Sequence, residues 1–279
     1  MTSYLRPAEL SEALEALSAE KRVIVAGGTD FYPARVGKPL DEKVLDITAI
    51  AGLRAIEERD GHHYIGSLTT WTDLLREPLP SWFDGLKLAA REIGGVQIQN
   101  AGTVCGNICN ASPAADGVPN LITLEAEVQI ASARGERSVP IEAFVTGNRR
   151  TALESDELVT GLKVPRPKRP ARAHFLKLGA RKYLVISIVM VAAVVEVESE
   201  AVAAVRIVVG SCSVVAQRLK ELEHEIVGRP LDAKLGEVAR AHHLSSLSPI
   251  DDVRGSAAYR NDAALTLVRR TLNELGGAP

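Results

Sequence analysis

The chain has few aromatic residues, few cysteines and almost no net charge. Aromatic residues make up 4% of its 279 residues, too few for the stacking platforms that bind single-stranded nucleic acid. Its formal net charge of −2 excludes a basic nucleic-acid surface and a polybasic membrane anchor. It has 3 cysteines, an odd number without extracellular spacing, which is typical of a reducing compartment. We therefore expect a cytoplasmic protein with no nucleic-acid partner.

The sequence also lacks a long hydrophobic run. Its most apolar stretch, Tyr183–Val195, is shorter than the ~20 residues that a membrane-spanning helix needs. The stretch predicts a buried strand or helix and no membrane span. The first ten residues, MTSYLRPAEL, have neither the charged nor the apolar region of a signal peptide. A hydrophobic content of 46% is enough for one large domain or two to three small ones.

Hydrophobic spacing and turn residues predict most of the secondary structure. Thr70 or Thr72 is the expected N-cap of the second helix. The predicted helices are Pro7–Ala19, Thr70–Leu75, Leu86–Ile93, Asn120–Leu124, Gln217–Ile226, Ala233–His242 and Asn261–Leu275. The predicted strands are Lys21–Ala26, Lys43–Ile47, Glu127–Ser132, Glu157–Val164 and Val202–Val209, with a hairpin at Ile56–Ile65 around Asp60-Gly61 and a turn at Glu200-Ala201. His174–Leu178 is a short apolar stretch.

The stretch from Asn100 to Asp116, NAGTVCGNICNASPAAD, shows neither a helical period nor strand alternation. It therefore predicts a long loop, and a loop of this length in a compact domain is unusual unless it is functional. Gly102 and Gly106 let the backbone approach a ligand closely and can take a positive φ. Exposed backbone N–H groups of such a segment form anion-binding nests. The alternative is a turn-rich surface loop.

Another glycine-rich segment lies near the N-terminus and is the first of the two in chain order. The predicted strand Lys21–Ala26 runs directly into Gly27-Gly28-Thr29-Asp30, which is a candidate phosphate loop because its glycines permit close backbone approach. Neither a Walker sequence nor a GxGxxG fingerprint is present there. The alternative is a simple tight turn. Two such loops suit a ligand with two phosphates better than a ligand with one.

Longer segments around these loops resemble a known family. VIVAGGTDF, IGGVQIQNAGTVCGNICNASPAADGVPNL, FLKLGARKYLVISIV and VRGSAAYRNDAALTLVRRTL are similar to the FAD-binding subunit of the molybdenum hydroxylases. That family includes the xanthine dehydrogenases and the medium subunit of aerobic carbon monoxide dehydrogenase. The resemblance extends over essentially the whole chain, and its middle motif is the most specific part.

The resemblance implies an α+β fold of the PCMH/VAO type. Two subdomains, residues 1–55 and 56–168, would clasp FAD. A small C-terminal domain of antiparallel sheet and helices, residues 169–279, would follow them. The proline-rich basic segment PRPKRP, residues 165–170, suits a boundary between domains.

The resemblance also implies which residues bind FAD. The diphosphate would lie against the first glycine loop: Ile24, Val25, Ala26, Gly27, Gly28, Thr29, Asp30 and Phe31. The second loop would hold its other side and the ribityl chain: Ala101, Gly102, Thr103, Val104, Cys105, Gly106, Asn107 and Ser112. Ile93, Asp116, Val159 and Lys177 match further contacts with the cofactor. Without this resemblance, the sequence alone would suggest ordinary structural roles. Ile93 and Val159 would be core residues, Asp116 would cap the next helix and Lys177 would be a solvated lysine.

One residue departs from the family pattern. The family usually has two adjacent glycines where this chain has Cys105-Gly106, and a Cβ there would crowd the diphosphate if the backbone needs a positive φ. Cys105 and Cys109 have no second ligand pair that would complete a zinc site. The chain also lacks the four-cysteine pattern of an iron–sulfur cluster. We therefore expect no metal site in this chain.

The implied function is that of a flavin relay without a catalytic residue of its own. The family's molybdenum cofactor lies on a large subunit and its [2Fe–2S] clusters lie on a small subunit, usually in a dimer of heterotrimers. FAD passes the electrons to NAD⁺, oxygen, a quinone or a carrier protein. Two alternatives stay open at this point: a stand-alone flavin oxidoreductase, and a scaffold subunit that has lost FAD.

Overall fold

A computed structural model describes residues 3–277 of the chain. The helices are α1 Leu10–Ala19, α2 Trp71–Arg76, α3 Asp84–Glu92, α4 Val96–Ala101, α5 Val104–Asn110, α6 Gly117–Thr123, α7 Ile141–Phe144, α8 Lys220–Ile226 and α9 Ala257–Gly277. The strands are β1 Tyr4–Leu5, β2 Val23–Val25, β3 Val44–Asp46, β4 Ile56–Arg59, β5 His62–Gly66, β6 Glu127–Ser132, β7 Gly135–Pro140, β8 Val145–Gly147, β9 Arg150–Thr151, β10 Leu158–Pro165, β11 Ala171–Leu178, β12 Val189–Glu198, β13 Ala201–Gly210 and β14 Gln217–Arg218. Short 3₁₀ helices lie at Pro33–Arg35, Ser81–Phe83, Leu235–Val238 and Ala241–Leu244.

The N-terminal part is a small parallel sheet with the strand order β1–β3–β2. Helix α1 packs on it through Ala13 and Leu17, which are buried with Leu45 and Ile47. The predicted helix and both predicted strands are confirmed. The carboxyl ends of β2 and β3 lie side by side, which is the edge where parallel sheets bind ligands.

The middle part is an antiparallel sheet with the strand order β4–β5–β10–β6–β7. Its first hairpin turns at Asp60 and Gly61, both with positive φ, as a two-residue turn requires. The predicted hairpin is therefore confirmed. Helices α2, α3, α5 and α6 share one core with this sheet, which includes Trp71, Phe83 and Leu162.

The prediction of a long loop from Asn100 to Asp116 is wrong. The segment contains the end of α4 and all of α5. Val104, Cys105 and Ile108 lie on one side of α5 and are buried in the core. Small and polar residues have low helix propensity, so a seven-residue helix takes its stability from tertiary burial. The sequence pattern was too short to show this period.

The C-terminal part is an antiparallel sheet with the strand order β11–β12–β13–β14. One face of β12 packs toward α3 and α6 through Met190, Ala192 and Val194. The other face packs with α9, where Val268 and Leu272 are buried. Burial on both faces explains the nearly continuous apolar sequence of this strand. The sheets and helices together confirm the α+β class.

Three C-terminal predictions change in detail. β12 begins only at Val189, so the first part of the Tyr183 run is an irregular segment that exposes Tyr183, Leu184 and Ile186. The predicted helix Gln217–Ile226 begins at Lys220, because residues 217–218 pair with β13. The turn between β12 and β13 lies at Ser199 and Glu200, which have positive φ, one residue earlier than predicted.

The predicted helix Ala233–His242 is wrong. The segment forms two 3₁₀ turns, separated by extended backbone at Ala239 and Arg240. Asn273 of α9 accepts the N–H of Gly236 at 2.7 Å, and Arg269 of α9 donates to the Ala239 carbonyl at 2.9 and 3.1 Å. The His243 Nδ1 accepts the Arg240 N–H at 3.0 Å, a donor that a continuous helix would direct to the Gly236 carbonyl.

The final helix α9 confirms the prediction for Asn261–Leu275 and extends beyond it at both ends. Val268, Leu272 and Leu275 are buried, and Leu265 packs beside them. Within residues 3–277, no helix is both long and apolar enough to cross a membrane.

Replacing Thr70 by Ala should destabilise the chain by about 1 kcal/mol. Thr70 caps α2 in a capping box, in which its Oγ1 accepts from the Asp73 N–H at 3.1 Å. Urea unfolding measures the change. Thr72→Ala is the matched control, because Thr72 lies in the same helix but binds Asn100 and does not cap. Equal losses in both variants would contradict the capping role.

Replacing Asp73 by Asn should remove a pH-dependent contribution to the free energy of unfolding. Hydrogen bonds from Arg54 at 2.8 and 2.9 Å lower the pKa of Asp73 from 3.8 to about 2. A depressed pKa stabilises the fold above the unfolded value, and this contribution disappears as the pH falls from about 4 to about 2. The wild type should exceed the variant by about 1–2 kcal/mol at neutral pH. Urea titrations should show the two converging below about pH 2, and a pH-independent difference would contradict the assignment.

Candidate cofactor site

The structure brings the two glycine-rich segments into direct contact. A Cβ on Gly27 would overlap the carbonyl oxygen of Ala101. A Cβ on Gly102 would lie 3.2 Å from the Thr29 Oγ1, which is closer than packed atoms normally approach. Glycine at these two positions therefore lets the end of β2 pack against the turn between α4 and α5.

The first segment has a row of unused backbone donors. In residues 3–277, none of the N–H groups from Gly27 to Phe31 has a protein acceptor. Gly28 has a φ of +70°, which its missing Cβ allows. The segment then closes through the Tyr32 N–H, which donates to the Gly28 carbonyl at 3.1 Å. Consecutive free N–H groups in a turn form a cradle for an anion such as phosphate.

The second segment, residues 101–107, is held by backbone bonds to residues 69–71, at the start of α2. The Trp71 N–H donates to the Gly102 carbonyl at 3.1 Å, and the Val104 N–H donates to the Thr69 carbonyl at 3.0 Å. Thr103 caps α5 by accepting from the Gly106 N–H at 2.9 Å. The middle part of the fold thus fixes the position of the second segment.

Cys105 does not face the contact between the two segments. It lies in α5 without a positive φ, and its side chain is 2% exposed within the core. A Cβ at this position would crowd a diphosphate only if the backbone had a positive φ, and Cys105 does not have one. Burial also raises the pKa of its thiol.

A cavity of about 350 Å³ adjoins both segments. It opens at the carboxyl edge of the parallel sheet, where Ala26 and Gly27 follow β2 and Thr48 follows β3. The other residues that line it are Ile50, Ala51, Gly52, Arg54, Leu68, Thr70, Asn100, Ala101 and Thr103. The prediction from sequence missed Thr48, Arg54 and Thr70, because residues far apart in the chain meet here.

Asp116 and Lys177 form a buried ion pair with each other. The Lys177 Nζ lies 2.7 Å from the Asp116 Oδ2, and their side chains are 3% and 6% exposed. The second oxygen, Oδ1, accepts from the Ser187 hydroxyl at 2.5 Å. Asp116 makes no side-chain cap bond to α6, so its interpretation as a helix cap is wrong. Lys177 is buried, so its interpretation as a solvated lysine is also wrong. Burial raises the pKa of Asp116, while the Lys177 ammonium opposes that change.

Ser187 was not among the residues predicted from sequence. The available signal was a serine inside the otherwise apolar run from Leu184 to Val195. A hydroxyl that is 2% exposed needs a hydrogen-bond partner, and here the partner is Asp116.

Several of the remaining predicted residues are buried or bind backbone groups. Val159 is buried in the core and Ile93 is half-buried at the end of α3. The Asn107 Oδ1 accepts from the Gly117 N–H at 3.2 Å, which positions the start of α6. The Ser112 Oγ accepts from the Ala114 N–H at 3.2 Å. Val25 and Val104 are also buried in the core.

Glu225, His242 and His243 form a group of potential metal ligands in the part of the chain that the structure describes. The His243 Nδ1 accepts from the Arg240 N–H at 3.0 Å, so the proton of the neutral ring lies on Nε2. That nitrogen faces the Glu225 carboxylate at 3.3 Å. A protonated ring nitrogen cannot bind a metal, so this group is better described as a hydrogen-bonded cap.

Replacing Gly27 by Ala should destabilise the chain by about 2–3 kcal/mol, because the new methyl group meets backbone and the two segments must separate. Gly147→Ala is the matched control. Its φ is also not positive, and its new Cβ would meet only ordinary contacts at 3.7 Å and beyond. Urea unfolding of both variants checks this, and equal effects would contradict the close approach at Gly27.

Comparisons with known proteins agree over almost the whole chain. The profile of the family described as "FAD binding domain in molybdopterin dehydrogenase" matches residues 1–167. The profile described as "CO dehydrogenase flavoprotein C-terminal domain" matches residues 174–275.

Two relatives and one solved structure show the same likeness. The chain is 32% identical to the nicotinate dehydrogenase FAD-subunit of Eubacterium barkeri, over 93% of this chain and 91% of that protein. It is 30% identical to the xanthine dehydrogenase FAD-binding subunit of Escherichia coli O157:H7, over 98% and 95%. Carbon monoxide dehydrogenase from Hydrogenophaga pseudoflava superposes with a TM-score of 0.90 at 26% identity, over 99% of this chain and 98% of that chain. Because both profiles and both relatives agree over most of its length, the chain belongs to the family of FAD-binding subunits of the molybdenum hydroxylases.

Proposed function

We propose that this chain binds one FAD across its two glycine-rich segments and relays electrons within a molybdenum hydroxylase complex. The observation that carries the proposal is the row of free N–H groups from Gly27 to Phe31 beside the cavity at Ala101 and Thr103. These donors suit a diphosphate, and a dinucleotide is long enough to contact both segments. The residues present therefore fit FAD.

The residues of this chain bind and orient the cofactor, and FAD itself supplies the electron-transfer chemistry. Residues 24–31 would hold the diphosphate. Residues 101–107 and Ser112 would hold its other side through backbone groups and small side chains. Ile93, Val159, Asp116 and Lys177 would lie around the flavin end. Val159 and Cys105 point into the core, so their part is to shape the backbone around the cofactor.

The substrate is expected to react on another chain. The matched relatives are named for nicotinate and xanthine dehydrogenases, and the solved structure is a carbon monoxide dehydrogenase. Such different names on similar FAD subunits support a substrate site on another chain. The partners would be a [2Fe–2S] small subunit and a molybdopterin-binding large subunit, in a dimer of heterotrimers. NAD⁺, oxygen, a quinone or a carrier protein would accept the electrons.

Two further expectations accompany this proposal. The domain division at residues 1–55, 56–168 and 169–279 is supported by the hydrophobic cluster on the α9 face of the last sheet, whose members all follow residue 169, and by a cluster around the first sheet that adds only Leu68 and Leu158 from beyond residue 55. A cytoplasmic location is supported by cysteines that are free in the structure, as expected in a reducing compartment.

The alternatives have less support. The one feature that favours a scaffold subunit without FAD is Cys105, and its side chain is buried in the hydrophobic core. Against the stand-alone enzyme, the relatives that match most of the chain are named as FAD-binding subunits.

The purified full-length chain should carry close to one FAD, released by heat and identified by mass. Its absorbance spectrum should be that of a bound flavin. Reduced pyridine nucleotide should bleach this spectrum if NAD⁺ is the acceptor. A chain that stays colourless after FAD is added, alone and when co-expressed with its partner subunits, would overturn the proposed function.

A further inference from the structure

One carboxylate ties two separate parts of the C-terminal half to the second glycine-rich segment. Asp116 directly precedes α6 and follows that segment by a few residues. Lys177, on β11, binds the Oδ2 at 2.7 Å, and Ser187, just before β12, binds the Oδ1 at 2.5 Å. All three side chains are buried. Both oxygens of Asp116 therefore have a donor from beyond residue 170.

The two donors stand at the two ends of one irregular segment. Residues 179–186, here called the strap, connect β11 to the start of β12. The Lys177 Nζ also donates to the Val185 carbonyl at 3.3 Å. Inside the strap, Arg181 donates to the Leu184 carbonyl at 3.1 Å. Gly179 has no room for a side chain, because Val185 folds back onto it. The strap is thus a compact turn whose ends are both fixed on Asp116.

The strap presents apolar side chains beside the proposed FAD site. Leu184 is 57% exposed and Ile186 is 53% exposed. The Leu184 Cδ2 lies 3.5 Å from the Cβ position of Gly95, in the turn between α3 and α4. Val96, the next residue, is 60% exposed. Apolar side chains on both sides of this contact face away from the core, next to Ile93.

We propose that Ser187 is a positioning residue of the FAD site: through Asp116, and together with Lys177, it fixes the strap against the turn between α3 and α4. The fixed strap then forms one wall for the flavin ring. This inference rests on the proposed function. Its physical basis is that a buried carboxylate oxygen left without its donor is costly, so loss of the Ser187 hydroxyl should shift Asp116 and loosen the strap.

Ser187→Ala in the full-length chain should weaken FAD binding roughly tenfold, a typical size for the coupling between two sites in one protein. FAD added to the cofactor-free chain, followed by flavin fluorescence, gives the dissociation constant. The absorbance bands of the bound flavin should also shift, because the wall beside the ring moves. Ser187→Thr keeps the hydroxyl and should restore both the affinity and the spectrum.

Ser81→Ala is the matched control. The Ser81 Oγ donates to the Ala171 carbonyl at 2.9 Å, so this variant also removes a hydroxyl that ties the N-terminal half to β11, but away from Asp116. It should leave the FAD dissociation constant and the flavin spectrum unchanged. Thermal unfolding of the cofactor-free variants separates a general loss of stability from a change in the site.

A double-mutant comparison tests whether Ser187 acts through Asp116. In an Asp116→Ala background, replacing Ser187 should have no further effect on FAD binding. Tight FAD binding by the wild type and equally tight binding by Ser187→Ala would overturn this inference alone. Equal weakening by Ser187→Ala and Ser81→Ala would also overturn it, since the hydroxyl would then be only structural. No FAD binding by the wild type, alone or with its partners, would overturn the proposed function and this inference with it.

Discussion

The close approach of Gly27 to the Ala101 carbonyl is the constraint on which the rest of the site depends. It places the carboxyl edge of the parallel sheet against the turn between α4 and α5, with no side chain between them. Within the described residues, the N–H groups of the first segment from Gly27 to Phe31 have no protein acceptor. Free donors beside a cavity are what a diphosphate needs. The cofactor site is therefore a direct result of packing two backbones together.

A second constraint joins the C-terminal half to this site. Asp116 is buried, and a buried carboxylate is stable only when cations and donors surround it. Lys177 and Ser187 supply them from the two ends of the strap. The ion pair is consequently a fold contact between the C-terminal half and the end of the Asn100–Asp116 stretch, and it adjoins the proposed cofactor site.

Sequence patterns predicted those elements whose stability is local or strongly periodic. Helix α9 repeats its apolar face over several turns, and the hairpin at Asp60-Gly61 needs the positive φ that its residues favour. The patterns failed where tertiary contacts decide the backbone. Helix α5 is too short to show a period and is stabilised by burial of Val104 and Ile108. The segment after Ala233 is broken at Ala239 and Arg240, where the His243 ring accepts the Arg240 N–H and Arg269 of α9 binds the Ala239 carbonyl.

The sequence by itself determined the family, the two glycine-rich segments and the absence of an iron–sulfur pattern, because these depend on residue types at short spacing. Only the tertiary structure decided that Cys105 points into the core and that Asp116 pairs with Lys177 and Ser187. These partners lie 61 and 71 residues away from Asp116 in the chain. A contact over such a separation depends on how sheets and helices pack, and no local pattern encodes it.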